Sequence, residues 1–300
     1  VTTVLRTEAL TKAFGPVRAL DALDLDVPAG RIGLVGANGA GKTTFFRLVL
    51  GLIRPDAGRV EVLGRAVADD PVGVRAHIGY MPEHDCLPLD QTAADVVATL
   101  GELSGLPARA ARQRASDVLN LVGLDEERFR PIGGFSTGMR QRAKLAQALV
   151  ADPQLVLLDE PTAGLDPSGR DSMLDLVHRL GDFGISVVMA THLLEDVQRV
   201  CDQVVMLDAG RLVAAGPTAD LTAVTGTVIV EVDGEPRSLA IALEGAGLEC
   251  ALVDHHVEIT GAGDDDLDVI RDTVADLGLP LLRLGRRGHS LEEVFRERSA

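Results

Sequence analysis

Nine consecutive residues, GANGAGKTT from Gly36 to Thr44, combine small and flexible side chains with a single lysine. Gly36, Gly41, Lys42 and Thr43 have the spacing G-x-x-x-x-G-K-[ST], placed between the apolar run RIGLV and a helical pattern from about Lys42 to Leu50. Glycines at these positions let successive main-chain amides turn inward, and the start of a helix adds positive potential. The ligand such a loop fits is the phosphate chain of ATP. Lys42 would bridge the terminal phosphates, the Thr43 hydroxyl would ligate Mg2+, and Asn38, Gly39, Ala40 and Thr44 complete the cradle.

A second candidate lies in LVLLDEP, where Asp159 and Glu160 end an apolar run of strand length. Alone, such a pair reads as the solvated start of a loop. Beside a phosphate loop it has two roles. Asp159 would hold the metal, and Glu160 would orient and polarise the attacking water. His192 follows another apolar run, ISVVMA; by itself a histidine there reads as a helix-start or packing residue.

The elements needed to bring these groups together are legible as patterns. Alternation from Val4 to Val27, clearest where Leu23, Leu25 and Val27 share a face, predicts antiparallel strands. QLVLLDE and ISVVMATH, separated by a helix-like stretch, predict parallel strands covered by helices. Residues from Leu89 to about Leu124 read as mostly helical, with Thr92 and Asp95 spaced as a capping box. After about Leu221 the character changes, with sixteen acidic against seven basic residues in positions 222–300. The strand–helix–strand–strand–helix–strand order there predicts a small ferredoxin-like α+β domain, followed by a helix beginning at Ser290. Residues 1–221 are the expected nucleotide-binding domain, with a helical subdomain at about 89–145, and residues 222–300 the accessory one.

A net charge of −16 disfavours a broad electrostatic hold on DNA or RNA, so no nucleic-acid partner is expected. The longest hydrophobic run, Leu239 to Leu243, is far short of the roughly 20 residues of a membrane-spanning helix. Cys86, Cys201 and Cys250, odd in number and widely spaced, read as reduced structural thiols. His255 and His256 fall in an expected hairpin turn without further ligands nearby, which argues against a metal site. Only Lys12, Lys42 and Lys144 are lysines among 29 basic residues, a bias that reads as coding preference.

The segment FSTGMRQRAKLAQALVADPQLVLLDEPTAGLDP, together with GANGAGKTT, resembles the ATP-binding cassette (ABC) ATPases over about residues 4–220. The YMPE and SLEEVF wordings are similar to the bacterial export branch, in which ATPase and membrane subunits are separate chains. That resemblance implies an α/β P-loop fold with an antiparallel β subdomain and a helical subdomain. It also implies ATP and Mg2+ as ligands, a second ABC subunit, most simply an identical one, and a membrane permease at the cytoplasmic face. Phe14 then stands where an aromatic ring stacks on adenine, and His192 at the switch histidine that contacts the γ-phosphate. Ser136 and Gly138 stand in the signature motif that caps the nucleotide of the opposite subunit, and Asp166 in the segment crossing between subunits. Two departures stand out: Thr137 and Met139 replace a glycine and a glutamine of the common signature, and Glu83 replaces the glutamine that senses magnesium and water. A carboxylate at Glu83 can still ligate the metal. Against the exporter reading stand a soluble cassette ATPase acting on ribosome or DNA, and a regulator that binds nucleotide without hydrolysis. Neither a second phosphate loop nor a heptad insertion appears, and Glu160 and His192 are both present.

Overall fold

The computed structural model describes residues 3–222, 224–288 and 291–299. Its internal contacts divide the chain into two compact units, one over Val1–Thr218 together with Glu297–Ala300 and one over Ala219–Arg296.

The first unit opens with two long strands, β1 (Thr3–Phe14) and β2 (Val17–Pro28), paired antiparallel as the alternation predicts. Leu23, Leu25 and Val27 are buried while their neighbours face outward. There follow β3 (Arg31–Val35), α1 (Lys42–Val49), β4 (Ala57–Val62), the two-residue β5 (Arg65–Ala66), α2 (Pro71–Arg75) and β6 (Ile78–Met81). The helical segment consists of α3 (Ala93–Leu103) and α4 (Ala108–Leu121), then two short 3-10 turns and α5 (Thr137–Leu149). β7 (Leu155–Asp159), α6 (Pro167–Asp182), β8 (Ser186–Thr191), α7 (Leu194–Val200), β9 (Gln203–Asp208) and β10 (Arg211–Pro217) complete the series, and α8 (Thr218–Leu221) carries the chain from one unit to the next. At the start of α3 the expected capping box is half made. The Thr92 hydroxyl accepts from the Asp95 amide at 3.1 Å, but it also donates to the Asp95 carboxylate at 2.7 Å, so that carboxylate bonds the side chain and not the Thr92 amide.

Two sheets share this unit. One, ordered β2-β1-β4-β5, is antiparallel. The other is ordered β10-β9-β3-β8-β7-β6, parallel from β9 to β6 with β10 antiparallel at its edge. β7 and β8 are buried along their whole length, which explains why they read as continuous apolar runs rather than alternating ones. A single core joins the sheets across α1, with Phe45 and Phe46 fully buried and Phe46 edge-on to Tyr80 at 6.2 Å.

Register in the parallel sheet is what builds a site. Val35 of β3 pairs with Thr191 of β8, Ala190 of β8 with Asp159 of β7, and Met81 of β6 with Leu158 of β7. Four strands therefore end at the same edge, so the residues that follow each of them emerge side by side.

The second unit contains β11 (Val224–Val232), α9 (Pro236–Gly245), β12 (Glu249–Val253), β13 (His256–Thr260), α10 (Asp264–Asp276), β14 (Leu281–Gly288) and, as far as Arg296, α11 (Leu291–Ser299). Its sheet is antiparallel with order β12-β13-β11-β14, the ferredoxin-like arrangement. Val228, Val230, Val257 and Ile259 of the sheet pack with Leu239, Leu243 and Ile270 of the helices. Ser290, the expected start of the last helix, lies outside the described residues.

Candidate functional site

At the common strand edge lies a cleft of about 290 Å3, lined by Val17, Ala19, the 37–44 loop except Ala40, Glu83, Asp159 and Glu160. The loop leaves β3 at Gly36, where any side chain would press within 2.4 Å of the Leu207 carbonyl oxygen. It enters α1 through Gly41, whose φ of 104° lies in the region that glycine adopts without steric cost. Ala37, Asn38 and Gly39 face outward, whereas Gly36 and Ala40 are buried beneath them and support the loop from behind.

Lys42, on the first turn of α1, is buried and donates from Nζ to the Gly36 carbonyl at 2.6 Å. Its charge faces Glu160, with Nζ 3.7 Å from Oε1. Thr43 donates its hydroxyl to the Asp159 carboxylate at 3.1 Å. Burial pushes the Asp159 carboxyl up from the ordinary carboxylate range; Glu83 and Glu160 add to that, while the Thr43 hydrogen bond and Lys42 oppose it. Tyr80, at the end of β6, senses the same anion: burial first, then the charge of Asp159, pushes its phenol up to about 12.

Glu160 takes a left-handed backbone conformation, φ 49°, unusual for a residue with a long side chain. Its amide donates to the Ala190 carbonyl at 2.9 Å, and this turn off β7 aims the carboxylate back into the cleft. His192, immediately after β8, meets it there, with Nδ1 3.0 Å from both carboxylate oxygens. A carboxylate only accepts, so Nδ1 carries the proton in this contact and Nε2 is the nitrogen left for another partner.

Phe14 does not line the cleft. It is half-exposed, pairs in register with the wall residue Val17, and has the Lys12 ammonium 5.5 Å from its ring centre. Ser136, Gly138 and Asp166 also lie outside the lining and form a cluster of their own. Ser136 caps α5 by accepting from the Met139 amide, and Asp166 caps α6 by accepting from the Gly169 amide, both at 3.3 Å. Gly138 sits against Leu165, and Gln141 donates to the Ala163 carbonyl at 3.1 Å.

Three positioning groups escape motif reading. Tyr80 is one. Asp196, fully buried on α7, accepts from the Thr162 hydroxyl at 2.7 Å and from Arg170 Nε at 2.5 Å, which ties the helix after His192 to the segment after Glu160. Lys144 is the third: it is buried on α5 and donates to the main-chain carbonyls of Pro82 and Glu83. The rarity of lysine was the only sequence signal that could have marked it. Among the described residues no group of three or more His, Cys, Asp or Glu could hold a metal, and His256 instead contacts Glu258 at 3.2 Å.

Known proteins resemble this chain along most of its length. Residues 20–163 match the family pattern described as ABC transporter. The chain is 36% identical over 251 residues to the daunorubicin/doxorubicin resistance ATP-binding protein DrrA of Streptomyces peucetius, spanning 82% of this chain and 76% of that one. It is 32% identical to the Nod factor export ATP-binding protein I of Ralstonia nicotianae, over 98% of this chain and 93% of that one. Among solved structures it is similar to cbiO1 of Clostridium perfringens, described as part of an ABC transporter complex, with a TM-score of 0.68 and 26% identity over 74% of this chain and 92% of the other.

Proposed function

The chain belongs to the ABC transporter family as one of its ATP-binding, ATP-hydrolysing subunits, and from that premise we propose that it powers an exporter by closing head to tail on a second cassette around ATP. The observation that carries the site assignment is the cleft lined by Lys42, Thr43, Asp159 and Glu160, in which Thr43 bonds Asp159 and Glu160 meets both Lys42 and the neighbouring His192. The export direction rests on the relatives, whose names concern drug resistance and Nod factor export. Among the described residues no helix is long and apolar enough to cross a membrane, and the reading assigns that crossing to a separate permease, with this chain peripheral at its cytoplasmic face.

In this reading the loop amides and Lys42 grip the phosphates, and Phe14 offers its exposed ring to adenine. Glu160 holds the attacking water in line with the γ-phosphorus and accepts its proton. His192 keeps the Glu160 carboxylate oriented through Nδ1 and presents Nε2 to the γ-phosphate. A hard dication fits the donor set, since a threonine hydroxyl meets a buried carboxylate whose charge its surroundings leave under-compensated. Thr43, Asp159 and Glu83 would hold Mg2+ there, and bound Mg2+ supplies charge neutralisation for the triphosphate. Ser136 and Gly138 lie outside the cleft and complete the γ-phosphate site of the opposite cassette, with Asp166 crossing between the two.

Glu160→Gln tests the assignment directly. Phosphate release by the purified chain falls by about 10² to 10⁴ while ATP affinity is retained, and the variant accumulates as a dimer on gel filtration with ATP. Turnover near wild type would refute the role of Glu160.

A further inference from the structure

One face of α5 grips the short segment that follows β6. Arg140 approaches the Asp85 carboxylate at 3.8 Å, Lys144 reaches the carbonyls of Pro82 and Glu83 at 2.8 and 2.7 Å, and Gln147 reaches the Cys86 sulfur at 3.3 Å. These residues are spaced four and three apart, so they form one ridge along the helix. The middle rung differs from the other two. Arg140 and Gln147 act at the surface, whereas Lys144 is 2% exposed.

A buried ammonium is costly unless its donors are engaged, and here two neutral carbonyl oxygens engage them. Burial lowers the Lys144 pKa, against the raising influence of Cys86, Asp85, Glu83 and Asp159. Such an arrangement persists because it holds something in place. What it holds is the backbone of Glu83, whose side chain lines the phosphate cleft and whose charge is felt at Asp159. A compact ammonium with rotatable donors can bond two successive carbonyls in a closed space, while the flat fork of a guanidinium suits a carboxylate. In a chain that uses arginine almost everywhere, lysine stands at three positions only. Lys42 is in the phosphate loop, and Lys12 lies over the ring of Phe14. The third is Lys144.

We infer that Lys144 is a positioning residue: its buried ammonium fixes the Pro82–Glu83 main chain to the helix that begins at Ser136, and thereby sets the place of the Glu83 carboxylate in the cleft. The inference rests on the reading of Glu83 as a group that faces metal and water. Displacement of a reacting group by about 1 Å can cost on the order of a hundredfold in rate, so a modest slackening of this segment is measurable.

The experiment compares Lys144→Met and Lys144→Arg with wild type, singly and in a Glu83→Ala background. Three readouts are taken: steady-state ATPase across Mg2+ concentrations, binding of a fluorescent ATP analogue with and without Mg2+, and amide hydrogen exchange over residues 81–88. Lys144→Met is expected to lower kcat by about tenfold with KM for ATP within about twofold, and to raise the Mg2+ concentration for half activity. It should also speed exchange in the 81–88 segment and leave analogue binding in the absence of Mg2+ unchanged. Lys144→Arg should not restore these properties, and in the Glu83→Ala background Lys144→Met should add nothing. A folded Lys144→Met protein with wild-type exchange in 81–88 overturns the inference whatever its activity, and so does an additive loss in the Glu83→Ala background. Wild-type turnover and Mg2+ dependence in Glu83→Ala alone refute instead the reading of Glu83, and the inference falls with it.

Discussion

The phosphate cleft and the signature segment are both built from polar residues at helix starts, yet they use those residues in opposite ways. Around the cleft, Thr43 bonds Asp159, Glu160 contacts Lys42 and His192, and burial pushes the Asp159 carboxyl up. In the signature segment, Ser136 and Asp166 are spent on ordinary helix caps, and their carboxylate and hydroxyl groups stabilise local structure. One region stores the means of reaction at a cost to the fold. The other is a well-capped surface, to which the proposed function assigns a role only across a second cassette.

The largest test of this contrast is complementation. Lys42→Ala removes the phosphate grip, and Gly138→Asp sets a charge on the signature surface, so each variant alone should lose nearly all ATPase activity. When the two are mixed, a head-to-tail heterodimer has one site with both defects and one with neither. With random pairing, activity should return to about a quarter of wild type. Mixtures no more active than either parent would mean that the two regions do not serve one another across a dimer.

A smaller effect separates the regions by stability. Asp159 has a raised pKa in the folded chain, so its ionised form opposes folding; that penalty is absent below the ordinary carboxylate pKa and grows as pH rises through the folded value. Asp159→Asn keeps an acceptor for Thr43, removes the charge, and should stabilise the nucleotide-free protein by about 1 kcal/mol at pH 7. In thermal unfolding this is a rise of about 2–4 °C. The gain should vanish below about pH 3.9, where the carboxyl is neutral in both states. Equal or lower melting at pH 7 would remove the case for stored electrostatic strain.

The smallest effect has the opposite sign. Ser136→Ala deletes a helix cap and should cost about 0.5 kcal/mol, the low end of the usual range because the bond to Met139 is long. ATP binding by the isolated chain, measured by calorimetry, should stay unchanged. A loss of binding affinity there would place Ser136 in the chain's own cleft.

The difference between the regions also explains what could be read in advance. Gly36, Gly41 and Lys42 were legible because their spacing dictates local backbone, and local backbone is what a short stretch of sequence encodes best. The antiparallel pair β1 and β2 and the α+β order of the second unit were legible from periodicity. The order of strands in the parallel sheet was not, since β3 pairs with β8 across a long stretch of chain, Arg31 with Val187, while β7 reaches β8 from the other side, Leu155 with Ser186. Motifs named Asp159 and His192, but only register brings them level with Gly36. Lys144 was hidden for a further reason: its role lies in two main-chain carbonyls sixty residues away, and carbonyls carry no residue identity.

The turn of β7 into Glu160 has an evolutionary side. A positive φ is borne without cost by glycine, readily by asparagine and aspartate, and less easily by a longer chain. The side chains that this bend tolerates best are thus shorter than the glutamate to which the proposed reaction assigns the water. On the proposed mechanism, a duplicated gene that lost Glu160 would keep a sound cassette, so pairs with one working and one silent member are within easy mutational reach.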